Sequence, residues 1–159
     1  MGIFQSKDGR GYFMLPQAPE GAGYYVYGNV DDVPGTGHLG QFAHPAMMTL
    51  ILWVEQRWQA TDPRRFGVGN ISRAEGVKFR PHAKHKDGLQ VDVRAVRRDG
   101  KHAGVTWNQA DYDRDATARL IAIFNSHALV KKVFFNDRRI PGVFPLAKHD
   151  NHFHVEVRA

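Results

Sequence analysis

Apolar residues along this chain recur at two different periods, and each period predicts a different kind of element. Helical spacing predicts an amphipathic helix that begins at Pro45 and ends before Asp62-Pro63, because proline suits the first turn of a helix and interrupts a later one. Helical spacing returns further on, where Asp113 or Asp115 is expected to cap a second helix that runs to about Ser126. The apolar stripes of the two helices are Met47, Leu50, Ile51, Val54 and Trp58, and Ala116, Leu120, Ile123 and Phe124.

Alternation of apolar and polar residues predicts strands elsewhere in the chain. The clearest cases are Leu89–Ala95 and His152–Val157, and shorter or less regular strands are predicted at Phe66–Ile71 and Val130–Phe135. Because successive side chains of a strand point to opposite sides of the sheet, each clear strand has one apolar face and one polar face. The polar positions are Gln90, Asp92 and Arg94 in the first of them, and His152, His154 and Glu156 in the second.

The size and composition of the chain indicate one globular domain. Its 159 residues are 42% hydrophobic, and they contain no repeat and no linker-like tract. Residues 1–41 are rich in glycine and proline and are expected to form loops within that domain, with one extended piece at Tyr24–Tyr27. The predicted fold class is therefore α+β, a single domain over residues 1–159 with a small, mostly antiparallel sheet and flanking helices.

Charge narrows the choice of partner only slightly. Lysine and arginine number 22 against 16 acidic residues, a net charge of +6 that suits nucleic acid, a membrane surface or a carboxylate-rich cell-wall polymer. The chain has no cysteine, so any metal must be bound by histidine, aspartate or glutamate. The most apolar stretch, Met47–Val54, is too short to span a membrane, and no signal peptide is recognisable in the chain as given.

Histidines are concentrated in two short segments. Five of the nine fall within residues 82–92 and 149–154. If the two clear strands are neighbours, Asp92, His152 and His154 face one side of the sheet, and His85 can reach the same point from the preceding loop. Three nitrogen or oxygen ligands with an open fourth position form the arrangement with which zinc activates water for hydrolysis. Ordinary hydrogen-bonded histidines are the alternative, and the clustering favours a metal site on the polar sheet face.

Three nearby carboxylates are assigned more modest roles. Asp87 and Asp150 are expected to be turn or loop residues. Glu156 shares the polar face and can orient a ligand imidazole, but a solvated carboxylate at the end of a strand is the interpretation that we favour. The histidines outside the two segments, which are expected to be structural or surface residues, are His38, His44, His102 and His127.

At the two histidine segments the chain resembles the penicillin-insensitive murein endopeptidases. These form a branch of the zinc peptidases that also include lysostaphin-type enzymes, D-alanyl-D-alanine metallopeptidases and the hedgehog signalling domain. The shared pattern, H-x6-D followed by H-x-H, is met by His85 to Asp92 and by His152-Phe153-His154. The branch adds a histidine three residues before each element, and here those are His82 and His149. The similarity leaves the first forty residues uncovered.

The resemblance implies a role for each of these side chains. His152 is implied as the general base that accepts a proton from the attacking water, and a neutral imidazole with a pKa near ~6.5 can do this at neutral pH. His82 and His149 are implied to line the site and to stabilise the developing oxyanion or the leaving group. The implied ligands of the single zinc ion are His85, Asp92 and His154.

The expected function is a zinc metallopeptidase, a murein endopeptidase that hydrolyses a peptidoglycan cross-link such as D-alanyl-meso-diaminopimelate. Such a hydrolase acts in the periplasm or cell wall, and it is delivered there by phage lysis, by a secretion system or with a leader that is later removed. A zinc carboxypeptidase or dipeptidase acting on stem peptides is an alternative, with Lys84, Lys86 or Arg94 as a carboxylate clamp. A metal-dependent nuclease is a further alternative, but the chain shows no array of aromatic residues interleaved with its basic residues, as nucleic-acid binding would favour. A non-catalytic wall-binding module is the remaining alternative. The sequence does not set the oligomeric state.

Overall fold

The computed structural model describes residues 6–159, so the first five residues of the loop-rich N-terminal segment lie outside the described part. Over residues 6–159 the chain forms two α-helices, seven β-strands and two short 3₁₀ helices. The 3₁₀ helices are Gly37–Gly40 and Ala74–Gly76. The other elements are β1 (Phe13–Met14), β2 (Tyr24–Val26), β3 (Phe42–Ala43), α1 (Pro45–Gln59), β4 (Phe66–Val68), β5 (Gln90–Arg94), α2 (Arg114–Asn125), β6 (Val130–Phe134) and β7 (His152–Val157).

Both predicted helices are present, and local hydrogen bonds fix where they begin. His44 caps α1, because its Nδ1 accepts a 3.0 Å hydrogen bond from the backbone N–H of Ala46. Asp113, the first of the two proposed residues, caps α2 by accepting the N–H of Ala116 at 3.0 Å. Within residues 6–159, neither helix combines the length and the apolar character that crossing a membrane requires.

The larger sheet of the described region has five strands in the order β2-β4-β5-β7-β6. Strands β2 and β4 run parallel, and every other neighbouring pair is antiparallel. The predicted α+β class and mostly antiparallel sheet are therefore confirmed. The expectation that the two clear strands are neighbours is also confirmed, because β5 and β7 pair with Asp92 directly opposite His154.

One face of this sheet forms the core together with the helices. Val91 and Val93 of β5 and Val155 of β7 are completely buried, and Phe153 packs edge-on against Phe124 of α2 at 5.6 Å between ring centroids. Burying each such side chain contributes about 1.5–3 kcal/mol relative to exposing it. These apolar contacts hold β5 and β7 in a register that turns their alternate residues to the opposite face.

The sheet differs from the prediction where periodicity is weak. Strand β4 ends at Val68 rather than at Ile71. Gly69 and Asn70 still hydrogen-bond to the backbone of Asp92, but the N–H of Ile71 donates to the carbonyl of Gly40 at 2.7 Å. Strands β1 and β3 were not predicted, and each has only two residues, too few to show an alternating pattern. The extended piece at Tyr24–Tyr27 is confirmed as β2, which ends one residue earlier.

Two glycines of the segment that starts with β4 make room for tyrosines. A Cβ atom on Gly67 would lie 2.8 Å from the hydroxyl of Tyr25, and a Cβ atom on Gly69 would lie 2.5 Å from the ring of Tyr27. The two tyrosine rings therefore lie close against this backbone. The guanidinium of Arg94 then stacks 4.0 Å over the Tyr27 ring.

Replacing Asp113 with alanine should lower the free energy of unfolding by about 1–2 kcal/mol, because the first turn of α2 loses the acceptor for its exposed N–H group. The variant also loses the 2.9 Å ion pair with Arg64. Asp115→Ala is the matched control, since that side chain is 78% exposed and its loss should cost about 0.5 kcal/mol or less. Urea unfolding followed by circular dichroism in 0.15 M salt measures both, and equal losses would contradict the assigned cap.

Candidate metal centre

Five histidines and Asp92 meet on the polar face of the sheet within the described part of the chain. They line a cavity of about 270 Å³. Asp92, His85 and His154 are buried, whereas the other three histidines are half-buried or lie at its rim. Strands supply Asp92, His152 and His154, and the loops that precede these strands supply His82, His85 and His149. All six side chains that the sequence singled out are thus brought together.

Asp92 is the point on which the neighbouring imidazoles converge. Its Oδ1 lies 3.1 Å from Nδ1 of His154, 3.4 Å from Nε2 of His85 and 3.8 Å from Nε2 of His152. Ligand atoms bound about 2 Å from a tetrahedral zinc ion are about 3.3 Å apart. The separation of His85 from Asp92 therefore matches two ligands of one shared ion, whereas the shorter contact of His154 with Asp92 is a hydrogen bond.

The described residues contain two overlapping groups whose potential ligand atoms all lie within 4.8 Å of one another. Asp92 belongs to both groups, so it is the common member of any metal site formed here. His154 belongs to neither group, and its closest potential ligand contact is the 3.1 Å approach to Asp92. The groups are His82, His85 and Asp92, and Asp92, His149 and His152. The cluster can thus hold a metal ion.

The two buried imidazoles are held differently. Nδ1 of His85 donates to the carbonyl of Ile71 at 2.9 Å, which leaves Nε2 directed at Asp92 as the nitrogen that a metal ion can bind. Nδ1 of His154 is hydrogen-bonded to Asp92 at 3.1 Å. Nε2 of His154 is buried and has no hydrogen-bond partner among residues 6–159. The carboxylate of Glu156 lies 3.6 Å from it, just beyond hydrogen-bond distance. The Nε2 atom of His85 and the carboxylate of Asp92 are donor atoms that fit a divalent cation.

Two asparagines orient two of the remaining three imidazoles, and the sequence did not single out either asparagine. Nδ1 of His152 donates to Oδ1 of Asn151 at 2.7 Å, so its proton-free Nε2 faces Asp92. The amide of Asn70 lies 2.7 Å from Nε2 of His82 and donates to it, so the proton of His82 is on Nδ1. Asn151 lies inside the second histidine segment, which was the available signal, whereas Asn70 lies in an irregular segment after β4.

Glu156 was expected to be solvated, and that expectation is wrong. The residue is only 8% exposed, because Lys84 from the loop before β5 covers it and donates to its carboxylate at 3.0 Å. Burial opposes ionisation of Glu156, but the hydrogen bond and the charge of Lys84 outweigh it and lower the pKa. Glu156 is therefore an ionised, fixed neighbour of His154.

The charges within the cluster are set by burial and by Asp92. Burial and the neighbouring His85 lower the pKa of His82 to about 4, and burial also lowers the pKa of His152. Burial works against the charge of Asp92, yet the adjacent His85 and His154 hold its pKa well below the usual range. Burial likewise opposes the charge of His85, but Asp92 raises its pKa. A proton and a metal ion therefore compete for His85.

Four other side chains that were assigned ordinary roles are found in them. Asp87 accepts the N–H of Leu89 at 3.0 Å in an exposed turn, and Asp150 accepts the indole N–H of Trp107 at 3.1 Å. His44 caps α1, as described above, and His102 stacks on Tyr25 with 4.0 Å between the ring centroids.

The chain matches no protein-family model, and no curated protein matches it.

Replacing Asp92 with asparagine should weaken zinc binding by about hundredfold or more, because the shared anionic ligand of the cluster becomes neutral. Asp87→Asn is the matched control: it makes the same chemical change five residues away in an exposed turn and should leave the affinity unchanged. Isothermal titration calorimetry with Zn²⁺ measures both dissociation constants. Unchanged affinity in Asp92→Asn would show that the metal does not bind at this cluster.

Proposed function

We propose that the protein is a zinc-dependent peptidoglycan endopeptidase that hydrolyses a cross-link peptide bond, such as D-alanyl-meso-diaminopimelate. The observation that carries this proposal is the convergence of His85 and His154 on Asp92, with His152 beside them. The combined motif H-x2-H-x6-D and H-x2-H-x-H supports the same class of enzyme through its resemblance to the murein endopeptidases. Such an enzyme acts in the periplasm or the cell wall.

His85, Asp92 and His154 would hold the zinc ion. When bound, the ion supplies a Lewis acid that lowers the pKa of a water molecule and polarises the scissile carbonyl. The protein's own contribution is to fix the ligand atoms in advance. The carbonyl of Ile71 sets the tautomer of His85, and Glu156 lies beside the outer nitrogen of His154.

His152 is positioned to move the proton in this reaction. Because its Nδ1–H is held by Asn151, its Nε2 is free to accept the proton of the attacking water. The same nitrogen then returns the proton to the amine that departs when the peptide bond breaks. A general base in this position contributes about 10²–10⁴-fold to the rate.

His82 and His149 have complementary hydrogen-bonding capacities. With Asn70 donating to its Nε2, His82 keeps a proton on Nδ1 and can donate to the developing oxyanion. His149 donates its Nδ1–H to the carbonyl of Ala147 at 2.9 Å, which leaves Nε2 as an acceptor for the N–H of the leaving amine. We therefore propose that His82 stabilises the oxyanion and His149 the leaving amine.

The carboxypeptidase alternative has less support. That reaction requires a basic clamp, and one of the three basic residues proposed for it is already neutralised. Lys84 is paired with Glu156 at 3.0 Å. A basic group already held by a carboxylate is less available to the terminal carboxylate of a short substrate. An internal cross-link needs no such clamp.

The zinc-loaded protein should convert purified cross-linked muropeptide dimers to monomers, and a chelator should abolish the conversion. Mass spectrometry of the products measures the conversion and identifies the bond that is cut. Free stem peptides ending in D-alanyl-D-alanine and plasmid DNA serve as parallel substrates. If the dimer stays intact while one of these parallel substrates is hydrolysed in a chelator-sensitive reaction, the endopeptidase assignment is overturned in favour of a carboxypeptidase or a nuclease.

Two neighbouring histidine variants should separate metal binding from catalysis. His154→Ala is expected to lose both zinc and activity, because it removes a ligand. His152→Ala should retain zinc with nearly unchanged affinity while kcat falls about 10²–10⁴-fold, because it removes the proton acceptor alone. Zinc content by atomic absorption and turnover of the muropeptide dimer measure the two effects. Full activity in either variant would contradict the assigned roles.

A further inference from the structure

Phe134 links the histidine cluster to a basic surface at the edge of the sheet. Its ring centroid is 5.9 Å from that of His154 and 6.4 Å from that of His149. Two ammonium groups lie near the same ring, with Nζ of Lys132 at 5.5 Å and Nζ of Lys84 at 5.7 Å from its centroid. A group bound at these lysines would therefore lie directly beside the cluster.

The two lysines differ in whether a carboxylate of the protein neutralises their charge. Lys84 is 3.0 Å from the carboxylate of Glu156, whereas Lys132 has no carboxylate within 4.0 Å among residues 6–159. Nζ of Lys132 instead lies between two aromatic rings, 4.5 Å from the centroid of Phe144 and 5.5 Å from that of Phe134. Aromatic rings hold an ammonium in place without cancelling its charge. Lys132 is therefore a positioned cation that an external anion can engage.

An exposed apolar surface borders Lys132. Phe144 and Leu146, which we call the Phe144–Leu146 shelf, are 49% and 41% exposed, and Leu146 also lines the cavity of the cluster. The shelf is anchored to β6 by the backbone, since the N–H of Phe144 donates to Val133 at 3.0 Å and its carbonyl accepts from Phe135 at 2.9 Å. An exposed apolar surface fixed beside a cavity is a feature of binding sites.

We infer that Lys132 and the Phe144–Leu146 shelf form a subsite for a peptide residue that carries a free carboxylate on an aliphatic stem. The inference rests on the proposed endopeptidase and names the chemistry of its substrate. Along β6, Lys132 lies two residues, or roughly 7 Å, from Phe134. The subsite therefore lies next to the cluster, on the side of Phe134.

A carboxylate fits this subsite better than a nucleic acid does. The cation of this subsite is the ammonium of Lys132, whereas a nucleic-acid strand is bound by a track of basic residues with open aromatic faces for its bases. Here one face of Phe144 is covered by Lys132 itself. The aliphatic stem of an acidic residue needs only the remaining apolar surface.

The test uses the zinc-loaded full chain and two substrates, a cross-linked muropeptide dimer with free stem carboxylates and the same dimer with those carboxylates amidated. The parent protein should prefer the free acid by about five- to tenfold in kcat/KM and in the dissociation constant, the size expected of one partly exposed charge pair. Lys132→Met keeps the apolar stem and should lose that preference. Lys101→Met, which removes one charge from an exposed loop, should keep it, and both variants should bind zinc normally.

The outcomes separate this subsite from the proposed reaction. Hydrolysis of both dimers with equal kcat/KM by the parent protein overturns the subsite and leaves the endopeptidase standing. A second outcome is that the parent protein binds the acidic dimer selectively, Lys132→Met abolishes this selectivity, and neither dimer is hydrolysed. That outcome supports the subsite and overturns the endopeptidase. Absence of both binding and hydrolysis overturns the two together. Tighter binding of a DNA oligonucleotide than of the acidic dimer, weakened in Lys132→Met, also overturns the carboxylate subsite.

Discussion

The direct pairing of Asp92 with His154 across β5 and β7 is the constraint on which the rest of the site depends. Side chains directly opposite in an antiparallel pair have Cβ atoms about 4.5–5.5 Å apart, so the backbone ladder itself sets the distance between the two groups. The register is held from the other face, where Val93 lies opposite Phe153 in the core. A slip of one residue would turn Asp92 into the core and remove it from the histidines.

Neutral groups of the chain orient most of the imidazoles around Asp92. A backbone carbonyl holds His85, and asparagine side chains hold His82 and His152. Neutral hydrogen-bond partners fix a tautomer and a ring direction without adding charge that would compete with the carboxylate. Burial strengthens the electrostatic attraction between Asp92 and these rings, because little water remains to screen it. The cluster is thus arranged before any ligand enters.

Sequence periodicity revealed which faces the residues of β5 and β7 occupy, and so it brought Asp92 and His154 together correctly. Periodicity could not reveal the shorter β4 or the parallel β2–β4 pair, because the pairing of distant segments does not change the local alternation of apolar and polar residues. The burial of Glu156 was missed for a related reason: Lys84, which covers it, is 72 residues away in sequence and belongs to a loop. Loop side chains such as Asn70 follow no period, and only the tertiary structure shows what they contact.

The connection between β5 and β7 has a consequence for how the protein is made. The N-terminal half of the cluster, including Asp92, is synthesised well before His154, whose bond to Asp92 spans 62 residues of sequence. Strand β7 lies between β5 and β6 in the sheet, so an emerging polypeptide has no complete cluster until residues 152–157 have been synthesised and have paired with β5. The two histidine segments are thus joined by a long-range strand pairing and not by any local structure, and their meeting depends on completion of the sheet.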